Sequence, residues 1–371
     1  MKFTLSRDAL LKSLSHVQSV VERRNTIPIL ANVLIRVAGG EVSFTATDME
    51  IEINETVAAQ VSKTGAITAP AHTLYEIVRK LPDGAQVELN AEASNQLTLS
   101  AGRSKFKLGC LPVEDYPKMP EGDLKHTFRL PASDLRALID RSRFAISTEE
   151  TRYYLNGIYL HTTKTKNVEV LRAVATDGHR LARVEMPAPE GAAGIPGIIL
   201  PRKTVGEVRK LIDESSEDVE IALSESKVRF TFGGVVIASK LIDGTFPDYE
   251  RVIPSGNDKV LEVDTRAFAA AVDRVATISS EKSRGVKISL APGHVVISAN
   301  SPEAGSATEE LEVRYDGALL DFGFNARYLL DILQQVEGDG ARFNLADTAA
   351  PAIIQDVSDA SALYVLMPMR V

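Results

Sequence analysis

At 371 residues the chain exceeds one ordinary hydrophobic core, so two or three domains are expected. Hydrophobic residues at 44% and charged residues at 25% are the balance of a soluble globular protein, and a single cysteine, Cys110, excludes an intrachain disulfide and a cysteine-rich zinc site. The formal charge of −8 argues against a nucleic-acid binder unless that charge is segregated.

The N-terminus, "MKFTLSRDALLKSLSHV", carries spaced apolar residues instead of the unbroken run of a signal peptide. No apolar run approaches the roughly 18 residues of a membrane-spanning helix, so a cytoplasmic chain without a membrane partner is expected. Phe3–Leu5 alternates as a strand, and Leu10, Leu14 and Val17 then recur at helical spacing. A buried-looking strand, "ILANVLIRVAG", is followed by "EVSFTATDMEIEI", two strands around a polar turn. A second helix, "AHTLYEIVRKLPDG", leads to the alternating strands of "QLTLSAGRSKFKLGCL" and a proline-punctuated exit, "VEDYPKMP".

The same order returns twice. Phe128–Leu130 leads to a helix with Leu135 and Ile139, then "YYLNGIYLHT", "VLRAVATDGHRLARVEM", the helix "PRKTVGEVRKLIDE", "KVRFTFGGVVIASKLI" and the exit "DGTFPDYERVIP". Leu261–Val263 leads to a helix with Phe268, Val272 and Val275, then "RGVKISLAPG", "HVVISANSPEAGSATEELEV", "NARYLLDILQQVEG" and "PAIIQDVSDASALYVLMPM". The repeats start roughly 125 to 133 residues apart, a common domain size. Three similar α+β domains are expected over 1–122, 126–253 and 258–371, each with two helices on one face of mostly antiparallel strands.

The most chemically loaded stretch is Asp177-Gly178-His179-Arg180. Its counterparts are Asp48-Met49-Glu50 and Asn300-Ser301-Pro302-Glu303, so the shared feature is a polar turn between strands, and only the middle repeat adds His and Arg. An acid–base pair, a structural turn and a binding surface all fit these residues. No nucleophile elbow and no second His at ligand spacing accompany them, so no catalytic residue, metal or cofactor is assigned. "GAAGIPG" at 191–197 lacks the Lys-Ser/Thr ending that grips phosphates and reads as a loop.

Charge is segregated. Predicted helices at 7–24, 71–81, 132–143, 202–212, 265–275 and 326–336 together carry eight more Lys and Arg than Asp and Glu, while the whole chain carries eight fewer. Helices lining one surface would present a basic face suited to phosphates without sequence readout. A second segregation lies in the strands. "GRSKFKL" puts Arg103, Lys105 and Lys107 on one face and Phe106 and Leu108 on the other, while "SPEAGSATEEL" offers Glu303, Glu309 and Glu310. A basic strand in the first repeat and an acidic one in the third suit a head-to-tail contact between two chains.

"MKFTL", "IPIL", "TRYYLNG", "ATDGHRLA", "PRK", "FPDYERVIP" and "LMPMR" occur in this order, and with them the whole chain resembles the bacterial sliding clamps, the beta subunits of DNA polymerase III. The resemblance implies a clamp fold, with helices lining a ring, antiparallel sheets outside, and two chains closed head to tail around double-stranded DNA. It implies a processivity factor without catalytic residues. Its partners would be the catalytic subunit of DNA polymerase III, the clamp loader, and other polymerases and repair proteins carrying short clamp-binding peptides.

By the same resemblance Arg24, Arg79, Arg152, Tyr153, Tyr154, Arg202 and Lys203 face DNA, although the loop Thr148-Glu149-Glu150-Thr151 beside Arg152 is acidic. The implied peptide pocket comprises Leu155, Thr176, Gly178, His179, Arg180, Leu181, Pro247, Arg251, Val252, Asn325, Tyr328, Val365, Met367, Pro368, Met369 and Arg370. Adaptable methionines beside apolar anchors suit a site that serves several partners. Phe106, Leu108 and Ile278 match family interface positions.

Overall fold

The computed structural model describes residues 1–93, 95–120, 122–213, 217–279 and 284–370. Among them, a short strand runs straight into a helix six times. The first repeat comprises β1 (Lys2–Ser6), α1 (Arg7–Val17), β2 (Asn32–Ala38), β3 (Glu41–Thr47), β4 (Ile51–Ala58), β5 (Gln60–Lys63), β6 (Gly65–Pro70), α2 (Ala71–Arg79), β7 (Gln86–Ala93), β8 (Gln96–Ala101) and β9 (Ser104–Gly109). The second comprises β10 (His126–Pro131), α3 (Ala132–Arg143), β11 (Gly157–Thr165), β12 (Val168–Thr176), β13 (Arg180–Pro187), β14 (Ile198–Pro201), α4 (Arg202–Ile212), β15 (Asp218–Leu223), β16 (Lys227–Phe232) and β17 (Val235–Lys240). The third comprises β18 (Lys259–Asp264), α5 (Thr265–Ala276), β19 (Gly285–Ala291), β20 (His294–Ser301), β21 (Gly305–Glu312), β22 (Leu320–Asn325), α6 (Ala326–Leu333), β23 (Gly340–Leu345), β24 (Ala352–Asp356) and β25 (Ala362–Leu366).

Each repeat is thus strand, helix and three-strand meander, performed twice, with β5 an addition of the first repeat. The strand-to-helix corners are built by residue chemistry. Ser6, Asp264 and Asn325 end their strands and accept hydrogen bonds from first-turn amides of α1, α5 and α6. Pro70, Pro131 and Pro201 end the strands before α2, α3 and α4.

The two halves of a repeat exchange strands. β1 pairs with β7 while β6 pairs with β2. β10–β15 with β11–β14, and β18–β23 with β19–β22, repeat the exchange, every ladder antiparallel. Phe3, Leu10, Leu14, Phe44 and Leu74 fill the first interior, and Phe268, Phe324 and Phe343 the third, all buried.

Sheets do not stop at repeat boundaries. β17 of the second repeat pairs with β4 of the first, and β25 of the third with β13 of the second, giving two eight-stranded sheets. Consequently the chain divides into two compact units: Met1–Arg136 with Pro189–Ala192 and Lys203–Leu241, and Ala137–Ala188 with Ala193–Arg202 and Ile242–Val371. The expected middle domain contributes to both, because ladders bind it to each neighbour.

At both joints the third strand of a first half meets the last strand of the following repeat. The counterparts left over are β21 and β9, which end the four- and five-stranded sheets. These are the two charged strands marked by the sequence, with differences. Arg103 and Lys105 are exposed, Phe106 is half-buried, and Leu108 is buried in its own sheet. Glu303 lies in the turn before β21. Glu309 and Glu310 fall on opposite faces of the strand, and Arg274 already holds Glu309 at 2.5 Å, so the acidic edge is weaker than expected. Ile278 is half-buried just beyond α5.

The helices end sooner than periodicity suggests. Glu22, Arg23, Arg24 and Lys80 fall beyond the helix ends, and the excess of Lys and Arg over the six helices is six, not eight.

Two glycines test this packing. A Cβ on Gly157 would run into the Leu200 carbonyl of the paired strand β14, whereas Gly206, within α4, has open space around it. Gly157→Ala is expected to cost about 1–3 kcal/mol by overpacking, and Gly206→Ala to add about 0.5–1 kcal/mol by helix propensity. Melting temperatures of the two variants should move in opposite directions.

Candidate functional site

The turn between β12 and β13 is closed by its own side chains. Thr176 Oγ donates to the Arg180 carbonyl at 2.8 Å and accepts from the Gly178 amide at 3.1 Å. One oxygen of Asp177 accepts from the amides of His179 and Arg180 at 2.9 and 3.0 Å, and the other takes Arg180 Nε at 3.1 Å. Gly178 sits at φ 88°, where glycine is favoured.

The first repeat has the same wiring. Thr47 bonds to the Ile51 carbonyl and Met49 amide, and Asp48 to the amides of Glu50 and Ile51, with Met49 at φ 75°. Asp177 is therefore spent on shaping a turn, which removes the acid–base reading of Asp177 and His179. In the third repeat Ser301 makes a single such bond, to the Ala304 amide.

What the middle repeat adds is Arg180, 9% exposed. Its Nη1 reaches Asp331 at 2.5 Å, Nη2 donates to the Phe144 carbonyl at 2.8 Å, and the guanidinium lies 4.4 Å over the Tyr328 ring and 5.1 Å over Phe144. His179 stacks on Tyr328 at 6.0 Å.

Beside this turn opens a cavity of about 210 Å³ lined by Leu155, Thr176, Gly178, Arg180, Leu181, Pro247, Val252, Val365 and Met367. Nine of the sixteen expected pocket residues thus meet. The lining also includes Asp248 and Tyr249, which sequence reasoning passed over although they stand inside "FPDYERVIP". The floor is the buried cluster of Leu155, Val174, Leu181 and Val365. Asn325 caps α6, and Arg251 is exposed and paired with Asp248 at 2.7 Å.

Pro368, Met369 and Arg370 go elsewhere. They line a separate cavity of about 650 Å³ with Lys287, Asp321 and Gly323. The Met367 amide bonds to the His179 carbonyl at 3.0 Å and the Met369 amide to the Gly323 carbonyl at 2.9 Å, so the tail leaves the first cavity to run along β22. Val371 lies outside the described residues.

The candidate phosphate-binding cations divide. Among the described residues Arg24, in the turn after α1, and Arg202, at the start of α4, are exposed without an ion-pair partner. Arg79 is paired with Glu76 at 2.7 Å and Arg152 with Glu149 at 3.3 Å. Lys203 is held by Asp48 at 2.6 Å and Glu22 at 3.0 Å. Burial pushes its ammonium pKa down, but the bonds to Asp48 and Glu22 outweigh this and raise it. These three cations, expected to face DNA, each already hold a carboxylate, and Glu149 in the acidic loop is paired with its neighbour Arg152. Tyr153 is exposed and meets Tyr154 edge to face at 5.7 Å, and Tyr154 packs on the cavity floor. Among the described residues no group of three or more His, Cys, Asp or Glu could hold a metal ion, and no helix is long and apolar enough to cross a membrane.

Three family descriptions cover the chain in order. They are the N-terminal domain of the DNA polymerase III beta subunit over residues 1–120, the central domain over 129–248 and the C-terminal domain over 250–370. The beta sliding clamp of Caulobacter vibrioides is 56% identical and that of Escherichia coli K12 39% identical, each alignment covering 100% of both chains. The chain belongs to the DNA polymerase III beta subunits, the bacterial sliding clamps. A crystal structure of the Caulobacter crescentus clamp matches with a TM-score of 0.98 at 56% identity, covering 100% of this chain and 99% of that one. A Bartonella birtlesii clamp bound to griselimycin matches at 0.97 and 51% identity, covering 100% of both chains. The three tandem clamp domains expected from the sequence are thus present, and the chain is a replication processivity factor, not an enzyme.

Arg180 binds the turn to α6, and removing it strands two carboxylates, Asp177 and Asp331, that are 15% and 27% exposed. Arg180→Ala is expected to cost about 3 kcal/mol of stability, since breaking a buried pair leaves its partners uncompensated. Asp331→Asn, which keeps an oxygen for the same bond, should cost less than half of that by chemical denaturation.

Proposed function

We propose that two copies of the chain close head to tail into a ring that encircles duplex DNA without reading its sequence. The ring tethers the catalytic subunit of DNA polymerase III for processive synthesis in the cytoplasm. The observation that carries this reading is the pair of unpaired edges. β21 and β9 occupy the positions at which β4 meets β17 and β13 meets β25, so β21 of one copy joined to β9 of the next would repeat a joint the chain makes twice within itself. Closure in both directions would leave neither of these edges exposed.

Arg24, Arg202 and the cation-rich helices, α4 above all, would face the phosphates. Arg79, Arg152 and Lys203 would reach DNA only by leaving their carboxylates. The cavity floored by Leu155, Leu181 and Val365 would take apolar anchors of short peptides from the polymerase, the clamp loader and repair proteins. His179, Tyr328 and Met367 would border the bound peptide, and Pro368, Met369 and Arg370 would flank its exit. Boundaries at 1–122, 126–253 and 258–371 describe the three domains of each subunit.

The ring should hold DNA topologically. Protein loaded on nicked circular DNA is expected to stay at salt that strips ordinary phosphate-bound proteins, and to leave once the circle is cut. Equal escape from circular and linear DNA would refute encirclement.

The seam should depend on apolar contacts more than on charge, since exposed ion pairs contribute about 0–1 kcal/mol each. Phe106→Ala with Ile278→Ala should give folded monomers at micromolar concentration, while reversing Arg103 and Lys105 should only weaken the dimer, most at low salt. Leu108 is a poorer choice because it is buried in its own sheet. Sedimentation across a dilution series reads both outcomes.

A further inference from the structure

The outer wall of the 210 Å³ cavity is the segment that supplies Pro247, Asp248, Tyr249 and Val252. Among the described residues no backbone hydrogen bond ties residues 243–252 to a neighbouring strand. Side chains hold the wall instead. Phe246 stacks on Tyr159 with ring centroids 4.9 Å apart, and Tyr159 stacks on His161. A further anchor is Arg172 of β12, a residue buried at 3% exposure.

Arg172 bonds in two directions. Nε and Nη2 reach Glu185 and Thr165, all at 2.9 Å, which fixes the guanidinium to the sheet. Nη1 reaches the Tyr249 hydroxyl and the Glu250 carboxylate, both at 2.7 Å, which fixes the wall to the guanidinium. His161 Nε2 lies 3.0 Å from the same hydroxyl.

The first repeat is an internal control. In its exit, "VEDYPKMP", Tyr116 stands where "FPDYERVIP" has Tyr249. Tyr116 is also buried, and its hydroxyl donates to the Thr45 carbonyl, at 3.0 Å, with no arginine bonded to it among the described residues. Counted back from the turn aspartates Asp48 and Asp177, Ser43 occupies the position of Arg172. An exit segment therefore packs without a buried arginine, and burying one is costly unless every donor is matched. The arginine is present in the repeat that bears the apolar cavity.

We propose that Arg172 is a positioning residue for partner peptides: it clamps the Tyr249–Glu250 turn to the sheet and holds the cavity wall in the one position that accepts an apolar anchor. This rests on the reading of the cavity as a peptide site. Arg172 does not line the cavity, so it acts through Tyr249 and Glu250. Without the clamp the wall samples other positions, and the apparent Kd rises as the competent fraction falls.

Calorimetry of the full-length dimer with a peptide from the C-terminus of its own polymerase III catalytic subunit tests this, with a melting curve for each variant. Arg172→Met should weaken binding roughly tenfold, the range of a lost hydrogen bond to a charged group, and Arg172→Lys by less. Glu250→Gln, at an exposed residue outside the cavity lining, should weaken binding severalfold in the wild-type background and not at all beside Arg172→Met. Hydrogen exchange over residues 246–252 should quicken in Arg172→Met while β11 and β12 stay protected. Unchanged affinity in folded Arg172→Met overturns the proposal. Should that variant not fold, unchanged affinity in both Tyr249→Phe and Glu250→Gln overturns it. A wild-type dimer that takes up no peptide overturns the peptide-site reading and the proposal together, whereas a peptide bound equally by wild type and variants overturns the proposal alone.

Discussion

A β-sheet edge must be paired, covered or made unattractive, and this chain depends on how it pairs its edges. Every repeat ends a three-strand meander at an open edge, and two of those edges are paired by the final strand of the repeat that follows. The joints β4–β17 and β13–β25 are ladders of backbone hydrogen bonds, so neighbouring repeats are continuous in hydrogen bonding and the compact units cut through the middle repeat. The same rule leaves β9 and β21 over at the two ends of the pattern. The head-to-tail closure proposed above would extend a rule the fold already follows.

The site grows from the same repetition. A Thr-Asp turn between the second and third strands of a meander is built identically in the first and middle repeats, down to which amide each oxygen receives. Differences enter at the second carboxylate oxygen and at the next residues. In the first repeat that oxygen of Asp48 holds Lys203, a cation borne by α4. In the middle repeat the corresponding oxygen holds Arg180, which then reaches Asp331 and the Tyr328 ring. One turn thus works as a latch in one repeat and as the rim of an apolar cavity in the other, by the placement of a single cation.

Charge follows the same economy. The basic excess on the helices is real but smaller than the sequence suggests, because several cations fall beyond the helix ends and others are already matched. Lys203, Arg79 and Arg152 show that a positive side chain on the expected element is not thereby available to a phosphate.

Much was legible in the sequence. The three repeats, their α+β class, six helices, the charged strands at the two ends and the loaded turn at Asp177–Arg180 all follow from local signals: alternation, helical spacing, caps and punctuation by Pro and Gly. Motif resemblance located most of the cavity, since Leu155, Leu181 and Val365 stand in long ordered matches. Three things were decided only by the tertiary structure. The sheets run across the repeat boundaries, because register between distant strands is a property of their meeting and not of either strand. The tail parts company with the cavity at Pro368, because Met369 finds its hydrogen-bond acceptor on β22. The pairing of Lys203 and Glu309 is set by partners 35 to 181 residues away in the chain, and no local pattern encodes a pairing over that separation. Local geometry is written in neighbouring residues, whereas the availability of a charge or an edge depends on what folds against it.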